Sequence, residues 1–153
     1  MNQLEAIKYN YLFRGLPAGT IDALAEIAET REFAGGETIV RQFDRNNDLM
    51  ILLSGEARIK TFSGETIAEL GSGSIFGEVS LVDDGPRSAT VVAVGTTTVL
   101  AIPGEKLRQM MERDSNLRAT LILNIARVLA QRLRTANIQL DAALQSEVVR
   151  ART

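Results

Sequence analysis

The sequence has 153 residues, enough for one folded domain with an appendage. Hydrophobic residues make up 45% and charged residues 24%, an ordinary globular balance. There is no cysteine and no histidine, which excludes disulfides, thiolate or imidazole catalysis and most zinc or transition-metal sites. Catalysis would have to rest on carboxylates, lysine and arginine alone, so the sequence favours a protein that is not an enzyme and holds no metal.

Charge is unevenly distributed around a net charge of −2. Residues 1–102 hold 8 basic and 14 acidic groups, whereas residues 103–153 hold 9 and 5. A basic segment can contact nucleic acid. Here the basic residues are interspersed with apolar ones, which indicates a solvated helix face and no direct contact with nucleic acid.

Neither a leader nor a membrane segment is expected. The first residues, MNQLEAIKYNYLF, include an acid early and lack an apolar run. The most apolar stretch, residues 89–103, is interrupted by Gly95, four threonines and Pro103, so it is not expected to insert into a membrane. The sequence therefore predicts a cytoplasmic protein.

Residues 3–30 predict two helices, separated at Gly15 and Pro17. Thr20 is the predicted cap of the second helix. The apolar residues that share a face are Leu4, Ile7 and Tyr11 in the first helix and Ile21, Leu24 and Ile27 in the second.

Residues 31–102 change to short strands broken by glycine-containing turns. The predicted strands are Thr38–Arg41, Leu49–Leu53, Ala57–Phe62, Thr66–Leu70, Ser88–Val94 and Thr97–Ile102. Short strands at this spacing favour an antiparallel sandwich or barrel over a parallel sheet.

Residues 103–153 predict helices again, with Pro103 in a first turn and Asp114-Ser115-Asn116 capping one long helix. Apolar residues recur at heptad spacing on that helix: Ile122, Leu129, Ala136 and Ala143 alternate with Ala126, Leu133, Leu140 and Glu147. Such a stripe predicts a homodimer through a coiled coil. The alternative is that the stripe packs on the barrel of its own chain.

The densest chemical signal is the segment GSGSIFGEVSLVDDGPRSATV, residues 71–91. Gly77 precedes a predicted helical turn whose free amides attract an anion. Arg87 offers a planar fork of donors to phosphate oxygens, and Ser88 and the Ala89 amide add two more donors. Glu78 is acceptor-only when ionised, so it suits a ribose hydroxyl. Together these residues predict a sugar-phosphate site.

These residues resemble the cyclic nucleotide-binding domain family, found in bacterial catabolite-type regulators, cyclic-nucleotide-dependent kinases and gated channels. FGEVSLVDDGPRSATV, residues 76–91, resembles the family's phosphate-binding cassette, and FAGGETIV and LSGEARI add weaker similarity. The resemblance implies an α+β fold, mainly β: an antiparallel jelly-roll β-barrel flanked by helices. The implied division is N-terminal helices at 1–30, the nucleotide-binding barrel at 31–102, and lid and dimer helices at 103–153.

The resemblance also implies roles at the phosphate and the ribose. The Gly77 amide would bind the cyclic phosphate and Glu78 would accept from the ribose hydroxyl. Arg87 would pair with the phosphate, with Ser88 and Ala89 completing the cradle. The implied ligand is a cyclic mononucleotide, and we expect cAMP rather than cGMP, although Ser88 is compatible with either purine.

Around the base, the resemblance implies that Val79 forms a wall and that Ile67 presses on the purine from the preceding strand. In the family a residue of the C-terminal helix covers the base. Arg132 or Arg134 would do so here by stacking its guanidinium on the purine.

One turn departs from the family pattern, because Gln42-Phe43-Asp44 stands where a glycine is usual. Phe43 disfavours a positive φ, so we expect this turn to be rebuilt. It lies outside the cassette.

The predicted function is a regulatory switch in which the nucleotide repositions the C-terminal helix. No helix-turn-helix pattern follows that helix, so this chain is not expected to read DNA by itself. The alternatives are a coiled-coil interaction module with a degenerate pocket, or a fragment of a larger transcription regulator or channel.

Overall fold

The structure, a computed structural model, describes residues 2–152. Its helices are α1 (Gln3–Lys8), α2 (Ala18–Ile27), α3 (Glu78–Asp83), α4 (Gly104–Arg113) and α5 (Ser115–Arg152), with a 3₁₀ helix at Tyr11–Phe13. Its strands are β1 (Glu29–Phe33), β2 (Thr38–Val40), β3 (Leu49–Ser54), β4 (Ala57–Lys60), β5 (Thr66–Leu70), β6 (Ile75–Phe76), β7 (Thr90–Ala93) and β8 (Thr97–Ile102).

The strands form two four-stranded antiparallel sheets, which confirms the predicted jelly-roll architecture with flanking helices. The inner sheet, next to the helices, has the order β1-β8-β3-β6, and the outer sheet has the order β2-β7-β4-β5. All six predicted strands are present, and each of their ends lies within two residues of its predicted position. β1 and β6 were not predicted: β1 is polar and partly exposed, and β6 has only two residues.

The inner sheet separates two hydrophobic cores because its side chains alternate between its faces. On β3, Leu49 and Ile51 face the helices, whereas Met50 and Leu52 face the outer sheet. β8 divides in the same way, and for this reason both strands read as continuous apolar runs in the sequence.

The helix α5 continues far beyond the domain that it packs against. Its buried residues, Leu117, Leu121, Asn124, Ile125 and Val128, face the N-terminal helices and the inner sheet. Residues 133–152 are exposed throughout. At a rise of about 1.5 Å per residue the whole helix is about 57 Å long. Within residues 2–152, no helix has the length and apolarity that crossing a membrane requires.

Two predicted helix caps had different outcomes. Asp114 caps α5 as predicted, because its Oδ1 accepts from the amides of Asn116 and Leu117, each at 3.1 Å. The prediction for Thr20 was wrong. Pro17 occupies the N-cap position of α2 and Thr20 lies inside its first turn, where its amide donates to the Pro17 carbonyl. The fixed φ of proline starts this helix without a side-chain cap.

Candidate functional site

The site begins at Gly77, which joins β6 to the short helix α3. Gly77 has φ +88°, in the left-handed region that favours glycine. A Cβ here would lie 2.5 Å from both Arg87 Nη1 and the Asp48 carbonyl oxygen. Only glycine therefore lets the backbone turn into α3 while the Arg87 side chain lies against it.

Arg87 is buried, with 3% of its surface exposed, yet its hydrogen bonds within residues 2–152 are all to neutral acceptors. Its Nη1 donates to the Gly77 carbonyl at 3.1 Å, and its Nη2 donates to the Asp48 carbonyl at 2.8 Å and to Asn46 Oδ1 at 3.1 Å. Burial lowers the pKa of Arg87, and the carboxylates of Asp48, Glu78 and Asp44 oppose that shift. The guanidinium is held in place without a directly paired anion, which suits it to attract one.

Asn46 and Asp48, which orient Arg87, were not found by sequence reasoning. They lie in the loop before β3, about forty positions from Arg87, and no local motif marks them. Asp48 also accepts from the Gly104 amide through Oδ1 and pairs with Arg31 through Oδ2. This loop thus ties the cassette to the start of α4 and to β1.

Glu78 is buried, with 2% of its surface exposed, and its ion-pair partner lies on the long helix α5. Its Oε1 forms an ion pair with Nη1 of Arg132, whose Nη2 also donates to the Ile75 carbonyl. Glu78 Oε2 is buried and has no hydrogen-bond partner within residues 2–152. A buried carboxylate oxygen without a partner carries a free-energy cost that a hydroxyl donor would remove.

A cavity of about 60 Å³ lies between these groups. Seven of the eight sequence-predicted site residues line it: Gly77, Glu78, Val79, Arg87, Ser88, Ala89 and Arg132. Its apolar wall is formed by Val40, Ile59, Phe76 and Val91, which the sequence analysis did not single out. Ile67 does not line this cavity; it lies on β5 with 51% of its surface exposed.

The turn at Phe43 supports the cassette. The prediction that this turn would be rebuilt to avoid a positive φ was wrong. Phe43 adopts φ +75°. Its amide donates to the Arg87 carbonyl at 2.9 Å, and the Arg87 amide donates to the Asp44 carbonyl at 2.7 Å. Two backbone hydrogen bonds to Arg87 thus offset the strain, and the ring projects outwards, 6.0 Å from that of Phe62.

Helix α4 supports the other end of α3. Arg108 Nη1 contacts Asp84 Oδ1 at 2.6 Å, and its Nη2 donates to the Ser80 carbonyl at 3.2 Å. A cation at the C-terminal end of a helix interacts favourably with its carbonyl groups. The cassette is therefore fixed from three sides: by the loop before β3, by the Phe43 turn and by α4.

The fold and this site define a jelly-roll binding domain with a buried cation and a buried carboxylate at one cavity. The family model described as the cyclic nucleotide-binding domain matches residues 30–114, more than half of the sequence. The chain belongs to this family, as the cassette resemblance predicted.

Relatives of this chain include a receptor protein and a regulatory subunit of a protein kinase. It is 36% identical over 139 residues to the cyclic AMP receptor protein of Thermus thermophilus, covering 88% of this chain and 62% of that protein. It is 36% identical over 89 residues to the cAMP-dependent protein kinase regulatory subunit of Mycosarcoma maydis, covering 56% and 17%. The chain thus spans less than two thirds of either relative.

Among solved structures, it is similar to a cyclic nucleotide-binding domain from Methylobacillus flagellatus. The TM-score is 0.76 at 26% identity, and the match covers 89% of this chain and 79% of that one.

Proposed function

We propose that this chain is a non-catalytic receptor for a cyclic mononucleotide, with cAMP the preferred ligand, and that α5 moves when the ligand binds. One observation carries the proposal: the guanidinium of Arg87, which has no directly paired anion within residues 2–152, and the unpartnered Oε2 of Glu78 line the same cavity. A cyclic nucleotide brings a monoanionic phosphate next to a ribose hydroxyl. These two groups match the cation and the free acceptor.

The phosphate would lie between Arg87 and the first turn of α3. The first turn of α3 has no side-chain cap hydrogen bond, so its amides are available to an anion, and the backbone of Gly77 allows close approach. Ser88 and Ala89 line the same cavity and complete the proposed cradle. The ribose hydroxyl would donate to Glu78, whose other oxygen is held by Arg132.

The preference for cAMP is supported by two relatives that are named for cAMP. In our proposal Val79 lies beside the purine, and Ile67 contacts it once the ligand has widened the cavity towards β5. Stacking of Arg132 on the purine would require its guanidinium to leave Glu78 and Ile75. This role of Arg132 therefore depends on movement.

Movement of α5 is supported by the size of the cavity. About 60 Å³ holds roughly two water molecules, whereas ligand pockets typically measure about 300–1,000 Å³. Arg132 is the one cavity residue that α5 contributes within residues 2–152. A nucleotide would therefore favour a conformation in which Arg132 and its helix have shifted, by its differential affinity for the two positions.

We further propose that α5 forms a homodimer. Beyond residue 132 the helix exposes large apolar side chains, which include Leu133, Leu140 and Leu144. Leu129 of the predicted stripe packs against the core of its own chain, whereas Leu133 and Leu140 are exposed and are not covered in this way. A second α5 would cover these side chains, and a shift of the helix would reach the partner directly.

Calorimetric titration with cAMP and cGMP tests the ligand. We expect both to bind, cAMP more tightly. Arg87→Leu should weaken the free energy of nucleotide binding by about 2–5 kcal/mol, which raises Kd roughly tens- to thousands-fold. Arg41→Leu, which changes an exposed arginine at the end of β2, is the matched control. A folded Arg87→Leu variant with wild-type affinity would show that the phosphate assignment is wrong.

Light scattering tests the dimer. Leu133→Glu and Leu140→Glu together should convert a dimer to a monomer. Ile138→Glu, an exposed position about 200° around the helix from Leu140, should not. A monomeric wild-type protein at high micromolar concentration would refute this part of the proposal.

A further inference from the structure

A second cavity, of about 350 Å³, lies between α5 and the segment that contains the 3₁₀ helix. This volume is within the range of small-molecule sites, and it is several times that of the cassette cavity. The two cavities share one residue, Arg132, which lines both. No role in the proposed nucleotide site uses the rest of this cavity.

Three arginines, Arg14, Arg127 and Arg132, line the second cavity, and none of its lining residues within 2–152 is acidic. Arg132 pairs with Glu78, which lies behind it in the cassette. Arg14 and Arg127 form no ion pair with a carboxylate in the part of the chain that the structure describes. Two uncompensated cations that converge on one concave surface favour an anionic occupant.

The remaining lining provides an apolar surface and a rigid floor. Tyr11 and Val128 present a ring and a methyl-bearing side chain. Asn124 is buried and donates from Nδ2 to the carbonyls of Leu12 at 2.8 Å and of Arg14 at 2.9 Å. These bonds fix the segment 12–14 against α5, so the cavity is preformed rather than a gap between mobile parts.

The cavity would also remain open in the proposed dimer. Asn124 lies two positions after Ile122 of the predicted seam, which is about 200° around a helix. The face of α5 that lines the cavity is thus turned towards its own N-terminal helices and away from the seam.

We propose that this cavity is a second ligand site, for a small organic anion with a flat apolar body, such as an aryl carboxylate, sulfonate or phosphate. The anionic group would pair with Arg14 and Arg127, and the apolar body would lie against Tyr11 and Val128. Burial raises the pKa of Tyr11, which the Arg132 guanidinium opposes, so its hydroxyl is a neutral donor at physiological pH. A ligand here would also lie against Arg132 and would therefore influence the residue that holds Glu78.

The probe for this site is 8-anilinonaphthalene-1-sulfonate, followed by its fluorescence in a titration of the full chain. We expect one saturable site per chain. Arg14→Gln/Arg127→Gln should weaken binding on the order of tenfold or more, because both charge-assisted contacts are lost. Both side chains are exposed, so the variant should keep its fold, which circular dichroism checks. Arg118→Gln, an exposed arginine elsewhere on α5, should bind as the wild type does.

Two further titrations distinguish this site from non-specific apolar binding and from the nucleotide cavity. N-phenyl-1-naphthylamine has the same aromatic body without the sulfonate and should bind much more weakly. Excess cAMP or cGMP should leave the number of probe sites at one, since the cassette is a different cavity. The proposal is overturned if the double variant binds the probe unchanged, if the neutral analogue binds equally well, or if the apparent Kd of the probe rises without limit as the cyclic nucleotide concentration rises, which is direct competition. Coupling through Arg132 would instead bring that Kd to a limiting value.

Discussion

The ion pair between Arg132 and Glu78 should contribute measurably to the stability of the ligand-free protein. In Arg132→Leu the Glu78 carboxylate stays buried, but Oε1 loses its partner and Oε2 already has none within residues 2–152. Removing one member of a buried pair typically costs about 3–5 kcal/mol. Since 36% of the Arg132 side chain is exposed, solvent already screens part of this interaction, and we expect a loss of about 1–3 kcal/mol.

Urea denaturation followed by circular dichroism, at one protein concentration, measures this loss. For a chain of this size, about 1–3 kcal/mol corresponds to a decrease in Tm of roughly 2–12 °C. Glu78→Gln should remove most of the effect of Arg132→Leu, because a neutral amide needs no cation. The double-mutant cycle should then give a coupling energy of at least about 0.5 kcal/mol.

Arg134→Leu is the control, since Arg134 is exposed two residues further along α5. It should change the free energy of unfolding by less than about 0.5 kcal/mol. If Arg132→Leu and Arg134→Leu unfold alike and the cycle shows no coupling, the helix is not held to the cassette through Glu78. The physical link between α5 and the nucleotide would then be lost.

Three further substitutions test the surroundings of the site by the same denaturation assay. Gly77→Ala should lower the free energy of unfolding by about 3 kcal/mol or more, because of its positive φ and the two contacts at 2.5 Å that a Cβ would make. Gly36→Ala has the same φ but open space around its Cβ, so it should lower the free energy of unfolding by only about 1–2 kcal/mol, and equal losses would contradict the close approach at Gly77. Asn124→Ala should lower the free energy of unfolding by about 1–3 kcal/mol, because the carbonyls of Leu12 and Arg14 lose their donor. Asn137 is exposed, and a loss for Asn124→Ala as small as that for Asn137→Ala would refute this prediction. Phe43→Gly should stabilise the protein by about 1 kcal/mol because it relieves a left-handed φ, and a destabilised variant would mean that the contact with Phe62 outweighs the strain.

Sequence reasoning was most successful where the signal is local. The cassette was recognisable because Gly77, Glu78 and Arg87 stand within eleven positions, and the structure brings all three to one cavity. The main strands were predictable because an antiparallel sheet imposes short apolar runs between turns. Asp114 was identifiable as a cap because an N-cap acts on amides two and three residues away.

Other features could not be predicted because they depend on partners distant in sequence. β1 has little apolar pattern of its own and becomes a strand by pairing with β8, about seventy residues later. Phe43 accepts a left-handed φ because hydrogen bonds with the Arg87 backbone compensate. Reasoning from the intrinsic preference of one residue fails in such cases, since tertiary contacts of a few kcal/mol override it.

The amino-acid sequence defines which chemical groups are present: the cassette residues Arg87 and Glu78, no histidine or cysteine, and a long amphipathic helix. Which partners these groups have depends on the folded structure. In the fold, Arg87 has no directly paired anion within residues 2–152, and Arg132 pairs with Glu78, which is 54 positions away in the sequence. A second cavity lined by arginines lies next to this pair. The physical reason is that the charge state and the freedom of a buried group depend on which atoms surround it in space, and chain folding alone assembles those atoms.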